Sequence, residues 1–138
     1  MNGFKKALSD NHVAEEENNV LFCANDETEN FRMIKELMSK ENHPDGIIAS
    51  VEKLIITTYH VCKELKLKIP KQVKIIGFAN LASASILNPS VTTITQPAFE
   101  IGEAAATLLF KALEKNNFKL ESSDIILPSM LIERGSTE

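Results

Sequence analysis

Short continuous apolar runs alternate in this chain with segments whose apolar residues recur every three or four positions. A continuous apolar run is typical of a strand buried on both faces of a sheet, and the three-to-four spacing is typical of a helix with one buried face. The first half of the chain repeats the order helix, strand three times. This alternation predicts an α/β fold, a three-layer parallel sheet with helices on both faces.

The positions of these runs, and of the turn signals between them, predict the individual elements. Helices are predicted at residues 3–9, 26–38, 51–67 and 97–115, and strands at 20–24, 47–49, 73–78 and 92–95. Two further apolar runs, at 125–127 and 130–132, lie on either side of Pro128, so the chain is expected to end in strand. Asp26 is expected to cap the second helix with Glu29 as its capping-box partner, and Ser50 to cap the third.

The net charge of −4 over 138 residues argues against a role in holding a nucleic-acid backbone, which requires clustered lysines and arginines. No apolar run approaches the roughly 20 residues that a membrane-spanning helix needs, and no long apolar stretch follows the first lysines as in a signal peptide. Cys23 and Cys62 each sit in an apolar stretch and are expected to be buried reduced thiols. These features predict a cytoplasmic protein with no membrane partner.

The sequence contains none of the common catalytic motifs. The 5 glycines are isolated, which excludes a glycine-rich phosphate loop, and there is no Gly-x-Ser-x-Gly elbow. His12, His43 and His60 show no metal-ligand spacing with one another or with the cysteines. We therefore expect no enzyme activity, no cofactor and no metal. The alternative, a small stand-alone α/β enzyme, would require a cluster of titratable groups with shifted pKa values in a pocket.

Four blocks in the second half of the chain stand in a definite order. They read Leu-Lys-Ile-Pro-Lys-Gln-Val-Lys-Ile-Ile-Gly-Phe at 67–78, Thr-Thr-Ile-Thr-Gln-Pro at 92–97, Ile-Gly-Glu-Ala-Ala at 101–105 and Leu-Ile-Glu-Arg-Gly-Ser-Thr at 131–137. Near the start, Gly3 and Phe4 precede Ala7 and Leu8. Together these blocks resemble the lactose-repressor (LacI/GalR) family of bacterial transcription regulators, and the resemblance covers nearly the whole chain.

The resemblance implies the C-terminal lobe of a type-I periplasmic-binding-protein-like fold. Residues 1–91 and 120–138 are expected to build this lobe, and residues 92–119 to cross over into an N-terminal lobe that is mostly missing from the chain. Members of the family bind operator DNA through a helix-turn-helix headpiece and a small-molecule effector between the two lobes. The chain is expected to lack the headpiece and to bind no DNA by itself. The alternative is a solute-binding protein of a transporter, which shares the fold.

The resemblance also places an effector site after two of the predicted strands. Its candidate residues are Ser50, Val51, Glu52, Ala79 and Asn80. Val51 replaces the family asparagine that hydrogen-bonds sugar hydroxyls, Ala79 replaces the usual effector aspartate, and the family's effector arginine falls before Met1. Leaving a buried polar group unpaired costs about 1–3 kcal/mol, so an ordinary hexose bound in the usual way is not expected.

A homodimer interface is implied on the third predicted helix and on the loop before the fourth strand. Ile56 and His60 lie on the side of that helix away from its buried stripe, and Leu87 lies in the loop. The fourth predicted helix has a further apolar stripe, which the family packs against the N-terminal lobe. In this chain we expect a second copy to cover that stripe; the alternative is that the helix folds back on residues 1–91.

Overall fold

The structure, a computed structural model, describes residues 2–14, 20–114 and 125–138. Within these ranges the helices are α1 (Asn2–Asp10), α2 (Glu27–Met38), α3 (Glu52–Glu64) and α4 (Ala98–Glu114), and the strands are β1 (Gly46–Ala49), β2 (Lys74–Phe78), β3 (Thr92–Ile94) and β4 (Leu131–Ile132). The strands form one sheet in the order β1-β2-β3-β4. The first three are parallel and β4 runs antiparallel to β3, which confirms the α/β class with a mixed sheet.

The core lies between the sheet and α3. This helix packs on β1 and β2, and α2 packs on α3. The side chain of Ile55 on α3 is fully buried over Gly77 of β2. A Cβ atom at position 77 would overlap Ile55 Cδ1 and lie 2.9 Å from its Cγ1. Glycine at this position therefore allows the helix to approach the strand closely.

The helix caps agree only in part with the prediction. Asp26 caps α2 as expected, because its carboxylate accepts a hydrogen bond from the Glu29 backbone N–H at 3.0 Å. The Glu29 carboxylate pairs with Arg32 at 2.7 Å and does not complete the capping box. The prediction that Ser50 caps the third helix is wrong. The cap residue is Val51, which makes no side-chain hydrogen bond to the helix.

Two of the predicted strands are also wrong. Residues 20–24 form no strand, and the side chains of Leu21 and Phe22 are 38% and 76% exposed. The backbone of Ala24 pairs instead with the Asn30 side-chain amide, through two hydrogen bonds of 2.9 Å. Residues 125–127 likewise lie outside β4. An apolar run identifies a segment that favours burial, but a strand also requires a neighbouring backbone, and β1 pairs only with β2 among the described residues.

Several apolar surfaces are left uncovered. Within the described ranges, α1 and α4 pack against no other helix or strand. On α4, Ile101 and Leu109 are 50% and 59% exposed, so the alternative, that this helix folds back on residues 1–91, is wrong. Coverage of α4 by a second copy stays a prediction. The sheet face opposite α3 exposes Ile48 and Phe78, so the described helices cover one face of the sheet and not both.

The last sequence block connects the ends of β2 and β3. Ser136 is fully buried. Its hydroxyl donates to the Ile75 carbonyl at 2.5 Å and accepts from the Thr92 N–H at 2.8 Å. The Arg134 guanidinium donates to Thr93 Oγ1 at 2.9 Å. The Arg-Gly-Ser-Thr ending is thus part of the structural framework of the sheet.

We expect Ser136→Ala to lower the free energy of unfolding by about 1–3 kcal/mol, because it leaves a buried N–H and a buried carbonyl without their partner. Urea denaturation would measure the change. Ser85→Ala, at an exposed serine, serves as the control and should change the stability by no more than about 0.5 kcal/mol. Equal losses for the two variants would contradict the structural role of Ser136.

Candidate functional site

The candidate effector residues lie at the sheet edge where the parallel strands end. Ser50 directly follows β1, and Ala79 directly follows β2. The two strands are neighbours, with Ala49 paired to Gly77. Ligands of open α/β sheets bind outside the carboxyl ends of the strands. The structure therefore brings the two predicted groups of site residues to one edge.

The group after β1 faces solvent. Ser50, Val51 and Glu52 are all exposed, Val51 to 51%. Among the described residues, neither the Ser50 hydroxyl nor the Glu52 carboxylate has a hydrogen-bond partner. Both groups are available to a ligand, whereas Val51 can offer it only an apolar contact.

The group after β2 is occupied with structural contacts. Ala79 is 8% exposed and belongs to the core. The Asn80 side-chain amide donates to the Gln96 carbonyl at 2.6 Å and accepts from the Gln96 N–H at 2.8 Å. The Gln96 side chain in turn donates to the Phe78 carbonyl at 3.2 Å. Asn80 therefore braces the segment after β3. The sequence analysis did not identify Gln96 as a residue of this edge, although its position just after the strand next to β2 could have indicated it.

A hollow of about 280 Å³ lies beside this edge. Its lining residues are Phe78, Gln96, Pro97, Ile101, Ile125, Leu127 and Ser129. None of these side chains is charged, and most are apolar. The hollow is suited to an uncharged apolar group and offers no charge for a phosphate or a carboxylate.

The predicted interface residues lie around the outer side of α3. Ile56 is half-buried and His60 is exposed. Leu87 packs against the core, so its side chain contributes to the loop's attachment. Its neighbour Ile86, which the sequence analysis did not single out, is 80% exposed.

A hydrogen bond attaches the loop at 79–91 to α3. The Tyr59 hydroxyl donates to the Pro89 carbonyl at 2.9 Å. Burial raises the pKa of Tyr59 to about 12, so the hydroxyl keeps its proton at neutral pH and remains a donor. The loop therefore has a defined position against the helix.

The two cysteines are free. Cys62 is buried, and burial raises its pKa to about 11, whereas Cys23 is only half-buried and not fully buried as expected. In residues 2–14, 20–114 and 125–138, no three His, Cys, Asp or Glu side chains lie close enough together to hold a metal ion. No helix in those ranges is long and apolar enough to cross a membrane.

Comparisons with known proteins match nearly all of the chain. Residues 1–137 match the family described as periplasmic binding protein-like domain. The chain is 26% identical over 134 residues to the HTH-type transcriptional repressor PurR of Klebsiella pneumoniae (strain 342). The aligned region covers 97% of the chain and 39% of PurR. It is 31% identical over 108 residues to a lactose operon repressor of Rhizobium radiobacter, which covers 78% of the chain and 93% of that protein.

A solved structure is also similar to nearly all of the chain. The crystal structure of a LacI family transcriptional regulator from Enterococcus faecalis V583 with bound ribose matches with a TM-score of 0.77 at 29% identity. The match covers 97% of the chain and 48% of that structure. The chain thus spans less than half the length of this regulator and of PurR.

Proposed function

Because the chain belongs to the lactose-repressor family of periplasmic binding protein-like domains, we propose that it is the effector-sensing and dimerisation portion of a DNA-binding transcriptional regulator. The observation that supports this function is the match to the repressor PurR. The match includes 97% of the chain and 39% of the length of PurR. A helix-turn-helix headpiece outside these residues would bind operator DNA, in the cytoplasm. Both relatives are named as repressors, which favours a regulator over a transporter component or an enzyme.

Within this regulator, residues 1–91 and 120–138 would form one lobe. β3 pairs with β2 and therefore stays in that lobe, so only the part of 92–119 that follows β3 would belong to a second. The packing of α4 supports this division, because the helix contacts none of the other described elements. Its polar residues form one narrow stripe: Glu100, Glu103, Thr107, Lys111 and Glu114. A helix that is apolar around most of its circumference is normally buried. We therefore assign α4 to the interior of the second lobe.

The effector would bind at the carboxyl edge of the sheet, between the lobes. Ser50 and Glu52 would supply polar contacts, and the uncharged hollow would receive an apolar part of the ligand. The ribose bound to the matched regulator supports a small-molecule effector in this family. Val51 and Ala79, however, leave the usual sugar hydroxyls without partners at two positions.

The chain is therefore expected to show no saturable binding of hexoses, pentoses or purines. A sugar hydroxyl facing Val51 would lose its hydrogen bonds to water without replacement. Isothermal titration calorimetry with a thermal-shift screen would test this expectation. Saturable binding in the micromolar range would show that other residues of the chain replace the missing contacts.

Dimerisation is the part of the proposed function that the chain can show by itself. We propose that Ile56 and His60 lie on the subunit interface, next to the loop that carries Leu87. Ile56 is an apolar residue on the outer side of α3, where a helix of a monomer would normally present polar side chains. Loss of the dimer on substitution of Ile56, measured by sedimentation, is the test of this function.

A further inference from the structure

Positive charge is concentrated where α3 ends and the chain turns towards β2. Within 12 consecutive positions the chain has five lysines: Lys63, Lys66, Lys68, Lys71 and Lys74. All five are exposed. They make up a third of the chain's 15 basic residues, although the chain as a whole carries a net charge of −4. We call residues 63–74 the basic turn.

Hydrogen bonds and apolar packing fix the backbone of the basic turn. The Gln72 N–H donates to the Lys68 carbonyl at 2.7 Å, and the Gln72 side-chain oxygen accepts from the Lys68 N–H at 2.9 Å. Beneath this turn, Leu65, Leu67 and Ile69 pack against the core. The lysines therefore project from a defined surface, and only their side chains have to be ordered when a partner binds.

Lys66 has a backbone conformation that favours glycine. Its φ is 57°, and it directly follows Leu65, the C-cap residue of α3. The Lys66 N–H donates to the Lys63 carbonyl at 3.2 Å, which closes the last turn of the helix. Glycine adopts this conformation freely, whereas a residue with a side chain is strained there. A lysine in this place favours a functional use of its ammonium group over a purely structural one.

The basic turn is not neutralised by the chain itself. Its acidic residue, Glu64, pairs with Lys35 of α2 at 2.5 Å. The Asp45 carbonyl accepts the Lys74 N–H at 2.8 Å, but the Asp45 carboxylate forms no ion pair with a described residue. Across residues 2–14, 20–114 and 125–138, none of the five lysines forms an ion pair either. Their ammonium groups together create a positive potential that attracts an anionic partner.

The composition of the basic turn indicates which anionic partner it fits. It contains no arginine to bind a phosphate through two parallel bonds and no aromatic ring to stack on a base. Its leucines and Ile69 pack against the core and are not free to enter a lipid bilayer. An extended peptide places every second side chain on one face, about 6.6 Å apart. Carboxylates at that spacing suit flexible lysines that lie two or three positions apart in a turn.

We propose that the basic turn binds an extended acidic segment of another protein. It lies far from the effector edge, because Glu52 begins α3 at that edge and Lys63 lies near the other end of the helix. A helix of 13 residues is about 20 Å long. The acidic partner and an effector can therefore be bound at the same time, and binding at the basic turn requires neither an effector nor dimerisation.

Fluorescence anisotropy with a labelled decaglutamate peptide tests this surface in the full chain. We expect saturable binding at low ionic strength and a Kd that rises with added salt, because salt screens exposed charges. Lys68→Gln combined with Lys71→Gln should raise the Kd about threefold or more, the effect of losing two exposed ion pairs. The matched control combines Lys53→Gln with Lys111→Gln, at two exposed lysines outside the basic turn. It removes the same charge and should leave the Kd unchanged.

Lys66→Gly gives a second, independent readout. It should weaken decaglutamate binding and also raise the urea midpoint of unfolding, because glycine relieves the strain at a φ of 57°. Absence of saturable binding would overturn the proposal, and so would equal Kd values for the two double variants. Tighter binding of a ten-nucleotide oligothymidylate than of decaglutamate would overturn it in favour of a nucleic-acid partner.

Discussion

Replacing Ile55 with alanine should lower the free energy of unfolding by about 2–5 kcal/mol. The side chain is fully buried and lies directly over Gly77, where α3 meets β2. Alanine would remove buried apolar atoms and leave a cavity. The cavity cannot easily close, because α3 is already in contact with the backbone of β2. Urea denaturation followed by circular dichroism would measure the change.

Ile126→Ala is the matched control for this loss. It makes the same substitution at an isoleucine that is 90% exposed, and it should change stability by no more than about 0.5 kcal/mol. If both variants unfold at the same urea concentration as the wild type, the packing of α3 on β2 does not hold the fold together. Such a result would contradict the core described above.

Ile56→Lys, one position further along α3, should instead convert the dimer to a monomer. The side chain lies on the outer side of the helix and is only half-buried within one chain. A lysine ammonium group buried at the subunit interface would lose water without gaining a partner. We expect the dimer Kd to rise by about 30-fold or more, as for other central interface residues.

The circular dichroism of Ile56→Lys should match that of the wild type. Lysine is a good helix former, and its alkyl chain can lie along the apolar surface while the ammonium group reaches water. Val13→Lys, at an exposed residue away from α2 and α3, should remain dimeric. A dimeric Ile56→Lys protein would exclude the outer side of α3 from the subunit interface.

The sequence predicted best the elements whose partners are local. β2 and β3 lie within the predicted strands at 73–78 and 92–95, and β1 begins one residue before the predicted strand at 47–49; the three strands are consecutive parallel neighbours in the sheet. The run at 20–24 is also apolar, yet Leu21 and Phe22 are exposed. Composition indicates a preference for burial, but the neighbour that satisfies it depends on the order of strands in the sheet.

The positions of the candidate site residues in the fold were predictable from the sequence, but their contacts were not. The family resemblance placed Ser50 and Asn80 after two of the predicted strands, and the structure brings the ends of these two strands to one edge of the sheet. The hydrogen bonds between Asn80 and Gln96 join residues 16 positions apart, and they depend on how the loop at 79–91 returns to the sheet. Local sequence patterns do not predict the path of that loop. For the same reason the sequence analysis did not identify Ile86 as exposed, since its exposure follows from the packing of Leu87 against the core.

Sedimentation equilibrium of the wild-type chain tests the central claim most directly, because dimerisation is the regulatory property assigned to these residues themselves. The mass should approach that of two chains as the concentration rises, with a single monomer–dimer Kd fitting all concentrations. A mass of one chain at the highest concentration that the protein tolerates would contradict the account.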